Sequence, residues 1–253
     1  MQNTLLWRAL GRNLFLSIVM FAVIFGLLWL AEQFVLEPGT LLKWTDAAWC
    51  VGIPASIIGV AYILTIKDPN NYTGFYAGIA MSALLGIQFL LQKQYDSTFL
   101  YFCVFIPFQI KSILQWSKPQ EKEEPFSPEF LPTKMVIFTR LVYFIIIALD
   151  YMLATCVFQH NGIGDNIAIK LLNAILIASS VMANFWLIYR KNDAWIYWML
   201  YSLAGIGLFI ILGNIFSIVL FAFFLVINSM AGIAWFKGTR SENLGWLTTY
   251  KKK

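Results

Sequence analysis

Charged side chains are scarce in this chain: Asp, Glu, Lys and Arg make up 12% of its 253 residues, where a soluble domain carries roughly 25%. A surface wetted by water needs more, so a water-soluble globular domain is excluded. Histidine occurs once, as His160, beside Gly162 and Gly164 in a polar loop, where it reads as a solvated side chain. The cysteines Cys50, Cys103 and Cys156 are odd in number and show no CxxC spacing, so neither a disulfide framework nor a zinc site is expected. They read as buried thiols. No Walker A segment and no helix-opening GxGxxG occurs, which removes the usual nucleotide cradles. No cofactor is expected. The net charge of +5 is dispersed through short loops and builds no surface that tracks phosphates, so nucleic acid is not the partner.

What is present in excess is apolar: 60% of residues, 17% of all residues being aromatic, with a mean hydropathy of +0.71. A helix needs about 20 apolar residues to cross a bilayer, and backbone groups there must pair within the segment. Eight runs qualify, near 14–36, 47–66, 74–92, 98–116, 135–158, 167–189, 195–213 and 215–236. The chain therefore reads as an all-α membrane protein with eight transmembrane helices. The first run follows Arg8 and Arg12, but it is too long for a signal peptide and no A-x-A-like site follows it. It reads as an uncleaved helix.

Alternating the loops between two sides separates the basic residues. One side collects Arg8, Arg12, Lys67, Lys118, Lys122, Lys134, Arg140, Arg190, Lys191, Lys237, Arg240 and Lys251 to Lys253, the other only Lys43 and Lys93. Lys111 and Lys170 fall near span ends, where a long stem reaches the headgroups. By the positive-inside rule both termini face the cytoplasm.

The hydrophilic, proline-rich stretch 117–134 divides the chain, and similar helix endings precede and follow it. Gln109 and Trp116 in the fourth span stand 119 residues before Asn228 and Trp235 in the eighth. Two further helices precede each ending, joined by a basic loop with an acid: Lys67 and Asp68, then Arg190, Lys191 and Asp193. The expected organisation is an additional N-terminal helix and outer loop (1–46), a three-helix repeat (47–116) and a cytoplasmic linker (117–134). A linking helix with an outer loop (135–166), a second three-helix repeat (167–236) and a basic tail (237–253) follow. One linking helix gives the repeats the same orientation, a parallel 3+1+3 plan.

That plan, the segment Ala183-Asn184-Phe185-Trp186 to Ala194-Trp195-Ile196-Tyr197-Trp198, and the ending Asn228-Ser229-Met230-Ala231-Gly232-Ile233-Ala234-Trp235 resemble the PnuC-type nicotinamide riboside transporters. The resemblance covers about residues 47 to 238 and is most specific at the Trp-x-x-Trp of the seventh span and at Asn228 and Trp235. It implies a SWEET-like fold in the bacterial cytoplasmic membrane, surrounded by lipid. It implies facilitated diffusion of a vitamin B3 precursor of NAD biosynthesis, made unidirectional by an intracellular nicotinamide riboside kinase. A homo-oligomer, as a trimer, is the accompanying expectation. Relatives in the wider family carry thiamine or riboflavin, and these remain alternatives.

Polar residues inside a span cost free energy unless they face a cavity or a partner, so their faces matter. Helical spacing aligns Lys170, Asn173, Ser180 and Asn184 in the sixth span and Trp195, Trp198, Ser202 and Gly205 in the seventh. It aligns Phe224, Asn228, Ala231 and Trp235 in the eighth, Tyr101, Gln109, Ser112 and Trp116 in the fourth, and Gln88 and Gln92 in the third. The candidate substrate-binding set is Gln88, Gln109, Asn173, Asn184, Trp195, Trp198, Ser202, Phe224 and Asn228. A nicotinamide riboside has a cationic ring for indole faces, and a carboxamide and hydroxyls for amide side chains. For the tryptophans at span borders, Trp116, Trp195 and Trp235, an interfacial anchor is the favoured reading over ligand contact. For Asn173, Asn184 and Asn228 the competing reading is interhelical hydrogen bonding. Asp150, the one acid well inside a span, is expected to pair with Lys170.

An intramembrane enzyme needs a nucleophile and base, a metal triad or paired acids within the spans, and a membrane scaffold needs recognition surface. The sequence offers neither, so a carrier is preferred to both. A topology reporter fused after Lys253 is expected to be active only in its cytosolic form; activity of a periplasmic reporter there overturns the eight-span reading.

Overall fold

The computed structural model describes residues 2–34, 47–91, 95–118, 128–156, 166–213 and 215–238. All the regular elements among them are helical: α1 (Gln2–Phe34), α2 (Ala47–Ile66), α3 (Gly74–Leu91), α4 (Tyr95–Phe99), a π-helical turn (Leu100–Phe105), α5 (Ile106–Trp116), α6 (Thr133–Cys156), α7 (Ile167–Ile188), α8 (Asp193–Ile211) and α9 (Ile215–Gly238). Seven stretches among the described residues are long and apolar enough to cross a bilayer, and Cys50–Ile66 is a shorter apolar helix. The chain is a multi-pass membrane protein.

Two expectations need correction. The first helix starts at Gln2, not near residue 14, so Arg8 and Arg12 ride on its first turns; nothing in the segment before the apolar run breaks a helix, and its Leu, Arg and Ala favour one. Cys50, Cys103 and Cys156 are exposed thiols outside any disulfide. They lie on outward helix faces, where lipid accepts a weakly polar thiol as readily as a core does. Lys43, Gln92, Lys93 and His160 lie outside the described residues.

Helical contacts divide the chain into two compact units: Met1–Lys118 with Asn214–Ser217, and Pro119–Gly213 with Ile218–Lys253. In the first unit α2 packs along α1 and α3, and α3 packs on α5. Asn13 Nδ2 of α1 donates to Thr65 Oγ1 of α2 at 3.0 Å, while Thr65 in turn donates to the Ala61 carbonyl at 2.7 Å. These bonds hold an otherwise apolar helix in one rotation, because a polar pair buried in lipid has no water to exchange with. Asp68 Oδ1 and Asn71 Oδ1 accept from the Asn70 and Thr73 amides, each at 3.0 Å, and close the α2–α3 turn locally.

The fourth span contains Pro107, which lacks an N–H and whose ring would crowd the carbonyl four residues back. The helix widens before it: the Ile106 amide donates to the Tyr101 carbonyl, five residues earlier. A π-turn removes the conflict without breaking the span.

In the second unit α7 is the central helix, packed on α6 and on α8. Ala174, Ala178, Ala183 and Ala194 are fully buried and let α7 and α8 approach closely. Tyr143 Oη of α6 and Ser179 Oγ of α7 share a hydrogen bond of 2.9 Å. Asn166 caps α7, its Oδ1 accepting from the Ala168 amide at 2.9 Å. The other end of α7 closes on Arg190, at φ +52°, with the Lys191 amide donating to the Trp186 carbonyl at 3.1 Å. That is a left-handed helix stop in which arginine takes the place usually held by glycine.

One packing device recurs. A Cβ on Gly86 would stand 2.6 Å from the Phe102 ring, and a Cβ on Gly205 would strike the ring of Phe221. Both members of the second pair stand 119 residues after their counterparts. Gly205→Ala is expected to destabilise the protein by about 1–3 kcal/mol through overpacking, and adding Phe221→Leu is expected to recover part of that loss. Thermal unfolding in detergent measures both; a single variant as stable as the parent refutes the close contact.

Candidate functional site

The second unit gathers a buried polar cluster on the facing sides of α8 and α9. Trp195, Ser202 and Asn228 are fully buried and Trp198 is nearly so. They meet because the spacing of Trp195, Trp198 and Ser202 puts all three on one helical face, while Asn228 projects from α9 toward it. Asn228 Nδ2 reaches Ser202 Oγ at 3.1 Å and the Trp198 carbonyl at 3.3 Å. Ser202 donates to the same Trp198 carbonyl at 2.9 Å. One amide thus ties α9 to α8 through its N–H groups. Its carbonyl oxygen Oδ1, and the indole N–H groups of Trp195 and Trp198, have no hydrogen-bond partner in the structure. A buried polar group left so costs about 1–3 kcal/mol, which a fold tolerates where a ligand supplies the partner.

Aromatic rings line the cluster. Trp198 meets Tyr201 edge-on, with centroids 5.4 Å apart, and Tyr201 leans on Phe221 at 5.3 Å. Phe221 meets Phe224 edge-on at 6.0 Å. Tyr201 and Phe221 were not in the sequence-derived set; the signal for Phe221 was available in the shared spacing of Gly86 with Phe102 and Gly205 with Phe221.

The first unit holds a smaller counterpart. Gln109 is buried on α5 and its Nε2 donates to Tyr62 Oη at 3.3 Å. Gly78 lies so close that an added Cβ would stand 2.8 Å from the Gln109 amide. Ser82 is fully buried, with an Oγ that lacks a partner. Gln88 is half-buried and lies against Gly52, whose Cβ position is 2.7 Å from Gln88 Oε1. Tyr62 and Ser82 escaped the sequence reading, since a lone hydroxyl in an apolar run looks like any interhelical bond.

Other expected residues are placed differently. Asn184 is buried but donates to the Ser180 carbonyl of its own helix at 2.9 Å. Asn173 is half-buried on α7, as are Lys170 on α7 and Asp150 on α6. The interfacial reading of the border tryptophans is corrected. Trp116 and Trp235 are 3% and 1% exposed: Trp116 meets Phe75 edge-on at 4.7 Å, and Trp235 meets Trp195 edge-on at 5.4 Å. Each indole gains more by filling the end of its bundle than by lying among headgroups, because ring-edge contacts add to the area buried. Arg190, in the turn beyond α7, is pushed down to about 10 by burial and stays cationic at neutral pH.

A many-helix apolar chain with neutral, inward-facing amides and indoles defines a polytopic membrane transporter. The particular family follows from residues 49–237, which match the nicotinamide mononucleotide transporter family, so the chain belongs to that family. Its fold is similar to that in a crystal structure of the vitamin B3 transporter PnuC, at TM-score 0.60 and 15% identity over 90% of this chain and 88% of that one. No curated protein matches the chain. The family is one of transporters, not enzymes.

Trp235→Ala is expected to lower stability by about 3–5 kcal/mol, the cost of deleting a buried large aromatic. Thermal unfolding of the purified variant checks it; a melting temperature equal to the parent's restores the headgroup-anchor reading.

Proposed function

We propose that the chain carries nicotinamide riboside across a cytoplasmic membrane by facilitated diffusion. The supporting observation is the buried cluster, free of Lys and Arg, with an unpaired Asn228 Oδ1 and unpaired Trp195 and Trp198 indole N–H groups. A nicotinamide riboside offers a carboxamide and hydroxyls that complement both kinds of unpaired group, and its cationic ring suits an indole face. Trp195, Trp198, Ser202, Asn228 and Phe224 of the second unit are the residues to which the substrate is assigned, while Gln109 and Gln88 belong to the first unit's own polar cluster. Asn173 and Asn184 play a lesser part, Asn184 having its amide bonded to its own helix.

The choice of nucleoside over nucleotide rests on charge. No Lys or Arg belongs to the cluster of Trp195, Trp198, Ser202 and Asn228, and a phosphate buried without a cation pays several kcal/mol. A neutral site binds weakly enough to release, and intracellular phosphorylation then retains the product. Both termini lie in the cytoplasm, and the units follow a 3+1+3 plan. The glycine–phenylalanine pair repeated at a spacing of 119 supports that plan.

Liposomes with equal pH and ion concentrations on both sides are expected to take up nicotinamide riboside down its gradient. Strict dependence on a proton or sodium gradient contradicts facilitated diffusion, and uptake of thiamine, riboflavin or nicotinamide mononucleotide in its place contradicts the substrate. Trp198→Ala is expected to weaken binding by about 1–3 kcal/mol, the range for lost base–aromatic stacking, or about 5- to 150-fold in Kd. Asn228→Leu is expected to cost a similar amount. Calorimetric titration decides: a folded Trp198→Ala protein with the parent's affinity removes this residue from the site.

A further inference from the structure

The end of the hydrophilic linker is built into the second unit. Leu131 is 2% exposed and Phe130 is buried, its ring 5.2 Å from that of Phe236 on α9. Glu129 and Lys191 form an isolated parallel bridge, in which the Asn192 amide donates to the Glu129 carbonyl at 2.9 Å. Pro128 and Pro132 lack amide donors on either side, so the pairing cannot spread into a ladder. What holds the strap is therefore a small number of named contacts.

One buried hydrogen bond among them is made by Asp193. Its Oδ2 accepts from the Leu131 amide at 2.9 Å, 62 residues away in sequence, and the residue is 4% exposed. The Lys191–Glu129 ion pair, at 2.8 Å, leaves the Glu129 side chain 70% exposed and contributes little. Asp193 opens α8. The Trp195 amide donates to the Asn192 carbonyl at 3.1 Å in that same turn, and Trp198 follows one turn later. The start of α8 also tolerates little rotation, because a Cβ on Gly232 would stand 3.2 Å from Trp195 Cβ. In the first unit the matching acid, Asp68, caps its own turn at Asn70. Only the acid of the second unit reaches out to a distant segment.

We propose that Asp193 is a positioning residue: by holding the linker strap through the Leu131 amide, it fixes the start and rotation of α8 and thereby aims Trp195 and Trp198. The effect on substrate rests on the nicotinamide riboside reading above; the effect on α8 does not. An amide oxygen can take the same N–H, so Asn at this position keeps the bond that Ala loses.

The test uses the full chain in detergent and in liposomes, with nicotinamide riboside as the probe. Asp193→Ala is expected to raise Kd about fivefold or more, as the loss of a buried hydrogen bond to a charged group allows, with the saturated flux rate changed little. Asp193→Asn is expected to stay near the parent. Leu131→Pro, which removes the donor, is expected to match Asp193→Ala, and the double variant to lose nothing further. Amide hydrogen exchange at Trp195 is expected to quicken in the Ala variant and not in the Asn variant. An Ala variant with the parent's Kd overturns the proposal, as does an Asn variant as weak as Ala, or a lost flux at unchanged Kd. If the parent does not bind nicotinamide riboside but the exchange pattern holds, the substrate reading falls and the positioning of α8 stands.

Discussion

Hydrocarbon supplies no hydrogen-bond partner, and every polar group that enters it must find one in the protein or in a ligand. The main chain meets this demand by becoming helical, including at Pro107, where a π-turn re-routes the bonding so that one missing N–H does not break the span. Side chains meet it by bonding back to their own helix, as Thr65, Ser202 and Asn184 do, or across to a neighbour, as Asn13 and Tyr143 do. Among the described residues, the buried side-chain groups that meet it in neither way include the indole N–H groups of Trp195 and Trp198 and the Oδ1 of Asn228.

Since lipid gives helices no hydrophobic reason to associate, close packing has to do so. Small residues bring α7 and α8 together, and in each unit a glycine receives a phenylalanine ring. The same logic draws Trp116 and Trp235 inward, each against another ring. An indole at the end of a span has two good places, the headgroups and the bundle, and the presence of Phe75 or Trp195 at the matching height decides for the bundle. The proposed site is made from these packed ends, so its rigidity is that of the bundle and not of a loop.

The strap at Glu129 to Leu131 shows a polar connection used as structure. Its contacts are a carboxylate, one main-chain bond and two buried apolar side chains, placed where α8 begins. A linker attached there links the geometry of the loop to the orientation of the indoles below it.

That the chain is a series of apolar helices, and roughly where most of them run, was legible in the chain itself, because a bilayer of given thickness imposes a length that no other environment asks for. The family was legible too, in the Trp-x-x-Trp of α8 and the Asn228 ending of α9, which residues 49–237 bear out. Periodicity also put Trp195, Trp198 and Ser202 on one face. It could not tell which buried side chains would spend their hydrogen bonds at home: Asn184 and Asn228 look alike in sequence, yet one bonds its own helix and the other crosses to α8. Nor could it bring Asp193 to Leu131, or Trp235 to Trp195. Spacing along one helix is a property of the chain, whereas the partner that faces a side chain is set by the neighbouring helix, and only tertiary packing chooses that neighbour.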